Sequence, residues 1–205
     1  MRYPRFAPLT GVVFVVLLIV AFIPVGGNTP DLNDPASKIT SFYHDNQGKE
    51  IAAVILVALA ALFLAMFSVA LRNYLRGTGD EDFWPTVAMI GGVVAVVGLL
   101  VAAGMHIALV DGGHHRINPA AMVAINALDN DNFFAFSIPL GIMLLGAGCA
   151  TLRYGANLPK WLAWVAIVLF VVYFTPVGFI SFALSGIWII VVSILMYRRS
   201  PAATA

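Results

Sequence analysis

Charge is scarce in this chain. Of 205 residues only 10% are Asp, Glu, Lys or Arg, against about 25% in a soluble globular domain. A soluble fold of this length needs a water-facing surface that this composition cannot supply. With 61% hydrophobic residues and a mean hydropathy of +0.94, the chain falls among bilayer proteins. The net charge of +1 gives no footing for nucleic acid. Cysteine is nearly absent as well. Cys149 stands alone, which excludes an intrachain disulfide and a cysteine-built metal site. Between Gly148 and Ala150 it reads as an inert packing thiol.

Ionisable groups are also missing from the interiors of the apolar stretches. A charge at the centre of a membrane helix costs roughly 2.5–3.5 kcal/mol on insertion scales and is kept for function. None is found there, which argues against a proton-coupled transporter and against a channel with charged rings. Without a lysine in a span there is no retinal Schiff base. A single intramembrane histidine, His106, cannot by itself supply a bis-histidine haem. Ser68, Ser137, Ser181, Ser185 and Ser193 have no histidine or carboxylate beside them in sequence and read as packing residues. No enzyme and no cofactor is expected.

Six apolar stretches are present, at 9–25, 51–71, 85–110, 133–152, 161–175 and 178–197. Val25-Gly26-Gly27 makes a poor cleavage site, so the first stretch is expected to be a membrane helix rather than a signal peptide. The charge-free run from Trp161 to Tyr197 is too long for one span of about 20 residues, and Thr175-Pro176-Val177-Gly178 divides it. The expected fold is an all-α integral membrane protein of six transmembrane helices in one bundle. Arg2, Arg5, Arg72, Arg76, Arg153, Lys160, Arg198 and Arg199 fall on the side of the termini, and only Lys38, Lys49 and Arg116 on the other. The positive-inside rule then puts both termini in the cytoplasm. The outer side is acidic and holds His44, His114 and His115.

Two outer loops carry helix signals. Asp34-Pro35 and Asn118-Pro119 have the form of a cap followed by a first-turn proline, and Ile39, Phe42 and Tyr43 repeat at i, i+3, i+4. Two short amphipathic surface helices are expected, the first with its aromatic face in the lipid boundary. The two loops match at a constant offset, Asp34-Pro35-Ala36 and Asp45-Asn46 against Asn118-Pro119-Ala120 and Asp129-Asn130. Either a duplicated hairpin or a capping need met twice accounts for this. Phe42, Tyr43, Trp84 and Trp161 are the candidate interfacial aromatics. Gly91, Ala95, Gly98 and Ala102, with Gly141 and Gly146, are small residues that permit close helix packing.

The densest chemistry lies in Val101–Arg116, VAAGMHIALVDGGHHR, with three of the chain's four histidines. Here the third span is expected to end and break into a loop at Asp111. His106, Asp111, His114 and His115 form a candidate site for zinc or another divalent metal, with Gly112-Gly113 letting the backbone fold back. His44, Asp129 and Asp131 are further candidate ligands from facing loops. The alternatives are a histidine pH sensor and a solvated loop.

Three stretches, FYHDNQGKEIAAVILVALAALFLAMFSVALRNYLR from Phe42 to Arg76, LPKWLA from Leu158 to Ala163 and IWIIVVSILMYRR from Ile187 to Arg199, resemble a group of small actinobacterial multi-pass membrane proteins similar to the DUF4386 family. The resemblance implies a bacterial plasma membrane and no assigned activity. The DGGHHR stretch is outside it. Three functions stay open. One is a non-enzymatic accessory subunit, docked through the small-residue faces of spans three and four onto a larger membrane-protein partner or a second copy. The second is a protein binding membrane lipid or a hydrophobic small molecule. The third is an outward-facing metal or pH sensor.

Overall fold

The structure is a computed structural model that describes residues 4–26, 28–76, 82–115 and 117–199. Arg2, Gly27, Asp80, Glu81 and Arg116 lie outside the described residues. Among the described residues the fold is helical throughout, with no strand. The helices are α1 (Thr10–Val20), α2 (Ala36–Asp45), α3 (Gln47–Arg76), α4 (Phe83–His115), α5 (Pro119–Asp131), α6 (Phe133–Tyr154), α7 (Lys160–Val172) and α8 (Gly178–Arg199).

Four helical stretches are long and apolar enough to cross a membrane: Gln47–Arg76, Phe83–His115, Pro119–Tyr154 and Gly178–Arg199. Two further apolar helices are short. α7 has 13 residues, about 20 Å at 1.5 Å per residue, less than the ~30 Å hydrocarbon core. α1 is continued by a π-helical segment, Ala21–Val25. There Pro24 has no N–H to give the helical ladder, and the Gly26 amide reaches back five residues to the Ala21 carbonyl at 2.7 Å.

α4 lies at the centre, packed between α3 and α6, with α1 on the far side of α3 and α7 and α8 completing the bundle. The small residues of α4 are consumed inside the chain. A methyl group at Gly91 would collide with the backbone of Met143, one at Gly98 with the Ala135 carbonyl, and one at Gly146 with the backbone of Ala88. Pro139 lies within α6, so the Ala135 carbonyl four residues before it has no helical N–H to accept. Ala95 is buried and Ala102 half-buried, while Gly141 faces the rings of Phe170 and Tyr173 on α7. Gly91, Gly98 and Gly146 are thus used in the α4–α6 seam itself, and Gly141 against the end of α7.

The first and last described residues gather at one end of the bundle. Phe6 stacks on Tyr197 at 6.0 Å and the Arg5 guanidinium lies over the same ring. The Asn157 carbonyl accepts from Tyr74 and Arg199 at 2.9 and 2.7 Å. There too Arg72 and Arg76 pair with Asp82. Trp84 is half-buried beside this end and Trp161 is exposed.

The opposite end differs from expectation in three ways. α4 does not break at Asp111 but stays helical to His115. Gly112 and Gly113 are buried, and a Cβ at Gly113 would sit 2.9 Å from that of Tyr43. These glycines provide close approach rather than a turn. The apolar face of α2 is turned into protein. Ile39 and Tyr43 are fully buried in a small core with Leu109, Val110 and Met122, and Phe42 packs half-buried against it. α2 and α5 therefore cap the bundle. The Asn118 side chain does accept from the Ala120 amide at 2.9 Å. Asp34 instead accepts from the Asp31 amide and Lys38, both at 2.9 Å, so only the second loop is capped as expected.

A carboxylate–histidine–carboxylate clasp above an apolar cavity

Glu50 falls in the first turn of α3, where the positive end of the helix dipole favours a carboxylate. Its side chain is 2% exposed. On α4, Leu99, Ala102, Ala103 and His106 recur at helical spacing and turn one face inward. The His106 Nε2 lies 2.8 Å from Glu50 Oε2. Its Nδ1 lies 2.8 Å from Oδ2 of Asp129 on α5. Asp129 is close to the C-terminus of its helix, the unfavourable end for a carboxylate, and the contact with His106 offsets that. One imidazole thereby ties three helices together.

Both carboxyl groups retain an oxygen that no donor among the described residues meets. Tyr43 lies edge-on to His106, ring centroids 5.5 Å apart. Burial, with Asp129 and Glu50 nearby, pushes its phenol well above the usual tyrosine range, and its hydroxyl has no hydrogen-bond partner among the described residues.

The clasp forms the polar end of a cavity of about 270 Å³. Val54, Val57, Leu99, Phe133 and Phe136 make the apolar part, and Phe22 and Gly26, from the π-helical segment and just beyond it, close one side. Thr29 and Asn130 complete the polar end. Asn126 donates to the Asp31 carbonyl at 3.1 Å, and Asn130 to that of Pro30 at 3.4 Å, which fastens the 28–34 loop across α5. π-Helical segments recur at functional sites, and this one borders the cavity.

The four residues expected to share a metal are not brought together. His106 faces inward, whereas Asp111, His114 and His115 are exposed on the last turns of α4. His114 stacks on His44 at 6.1 Å and meets His115 edge-on at 5.3 Å. Among the described residues no group of three His, Cys, Asp or Glu side chains is arranged to hold a metal ion. The clasp itself cannot do so, because its carboxylates approach opposite sides of one ring and cannot reach a common ion with it. Nor can His106 serve as a general base in this arrangement, since both its nitrogens are engaged.

The sequence marked Asp129 only as a further candidate ligand and gave Glu50 no role. A signal for Glu50 was present. Antiparallel neighbours joined by a short link pair residues equidistant from it, and a link between Arg76 and Phe83 puts residue 50 opposite roughly residue 109, one helical turn from His106.

The fold and the cavity define a class: a helical bundle built for a bilayer, with a polar clasp at one end of an apolar interior space. Comparison with protein-family models, with curated proteins and with solved structures finds no match.

Proposed function

We propose that this protein is a non-enzymatic, multi-pass protein of the bacterial plasma membrane that binds a small hydrophobic or amphiphilic molecule in the cavity beneath Glu50, His106 and Asp129. The observation that carries the reading is the pairing of an apolar cavity with a buried polar end. Ligand sites combine a mostly apolar lining with a few placed polar groups. The volume of about 270 Å³ stands at the small end for such sites. Engagement of both His106 nitrogens supports binding over catalysis. In this reading α1 and α7 join the four long helices to make six spans, the arginine-rich end faces the cytoplasm, and α2 and α5 cap the outer face.

The accessory-subunit reading had its motive in small-residue faces that α4 and α6 use on each other, so the cavity has the stronger claim. The test is native mass spectrometry of the protein in mild detergent with 1-octanol, a neutral probe. One bound octanol per chain, lost on filling the cavity by Ala102→Phe, is expected. No octanol bound to the unmodified protein at any concentration below its solubility would sink the reading.

A further inference from the structure

Resting on the reading of the cavity as a ligand site, we propose that its occupant is a compact amphiphile with a cationic amine head, seated against Glu50 and Asp129 with its tail between Leu99, Phe133 and Phe136.

The charge follows from counting protons. Two contacts of 2.8 Å join His106 to carboxylate oxygens. For both to be hydrogen bonds, each must contain one proton. If both protons sit on the ring, an imidazolium lies between two carboxylates. If one sits on a carboxyl group, a neutral imidazole lies between a carboxylic acid and a carboxylate. Either way the three side chains together carry one net negative charge.

That charge is largely buried, the His106 and Asp129 side chains being 17% and 16% exposed. Glu50 is 1% exposed, and among the described residues no lysine or arginine lines the cavity. A buried charge is costly unless paired, and the described residues provide no cation here. The two carboxylate oxygens without donors are acceptors only, so they suit an ammonium group and repel a carboxylate or phosphate head. The tail is bounded by volume. By proportion with an apolar cavity of ~150 Å³ that holds one benzene, this space takes about ten non-hydrogen atoms. A whole phospholipid is too large and an alkylamine of medium length fits. The lack of a metal-binding group among the described residues and the aromatic lining favour an organic cation over a bare ion.

The experiment uses the full-length protein in lipid nanodiscs, with octylamine, 1-octanol and octanoate titrated separately near neutral pH and bound probe read by native mass spectrometry. Octylamine is expected to bind once per chain and at least tenfold more tightly than 1-octanol, with octanoate weaker than either. Glu50→Gln/Asp129→Asn is expected to bring octylamine down to the affinity of octanol while octanol binding holds. The comparison on the unmodified protein stands alone if that variant fails to fold. Equal affinities for octylamine and octanol would overturn the charge assignment and leave the cavity reading in place. Octylamine held equally by Ala102→Phe would overturn both, as binding would then be to lipid.

Discussion

His106 has two carboxylate partners from two other helices, and its removal leaves more than a void. His106→Ala would bury Glu50 and Asp129 facing each other without a proton between them. Breaking a buried ion pair by deleting one partner costs about 3–5 kcal/mol. A loss of that order in thermal stability in detergent is expected for His106→Ala. Removing all three charges together, as Glu50→Gln/His106→Asn/Asp129→Asn, is expected to lose less than the sum of the single changes, because residues in one network do not add. Strict additivity would mean that the three side chains are not coupled. Tyr43 provides the opposite case. Its hydroxyl is buried without a partner among the described residues, and deleting an unsatisfied polar group relieves a desolvation cost. Tyr43→Phe should leave the melting temperature unchanged or raise it; a clear drop would show that the hydroxyl has a partner.

α4 is the element on which the others are arranged, and its glycines divide by what they approach. Gly91 and Gly98 face the backbone of α6. A backbone cannot swing aside as a side chain can, so Gly98→Ala forces the two helices apart at the cost of about 1–3 kcal/mol typical of overpacking. The expected result is lower thermal stability in Gly98→Ala and little change in Gly104→Ala, whose site is open. Gly113 faces α2. Gly113→Ala should therefore loosen α2 selectively, seen as faster amide exchange over Ala36–Asp45 with the α4–α6 pairing unaffected. α2 can be lifted this way because its core is small, only Ile39 and Tyr43 being buried on that helix. Uniform acceleration across the whole chain would show instead that α2 and the bundle open as one unit.

At the scale of the whole molecule the two ends carry different chemistry. Among the described residues one holds Phe6, Tyr197 and the arginines, the other the clasp, α2, α5 and the exposed His44, His114 and His115. The proposed orientation is checked by cysteine labelling in a Cys149→Ala background. Lys49→Cys should react with a membrane-impermeant maleimide in intact cells, and Lys160→Cys only after permeabilisation. The reverse pattern would invert the topology and put the clasp on the cytoplasmic side, so that any ligand would arrive from within.

Composition and run length determined that the chain is helical and built for a bilayer, because unbroken apolar stretches of this length suit membrane helices, whereas barrel strands alternate and run only about 9–11 residues. Spacing marked the small residues of α4, a local periodicity. Three further features depended on the tertiary structure. Glu50 and Asp129 meet His106 because three helices converge at one level, and no local pattern encodes a distance between helices. Asp111, Gly112 and Gly113 resemble a loop until α2 and α5 pack on them, when burial of Ile39, Tyr43 and Met122 outweighs the weak helix propensity of glycine, about 1 kcal/mol per residue. The same docking took Tyr43 from an expected lipid boundary into a protein core. An apolar face records only that it must be covered, and which surface covers it is settled where the helices pack.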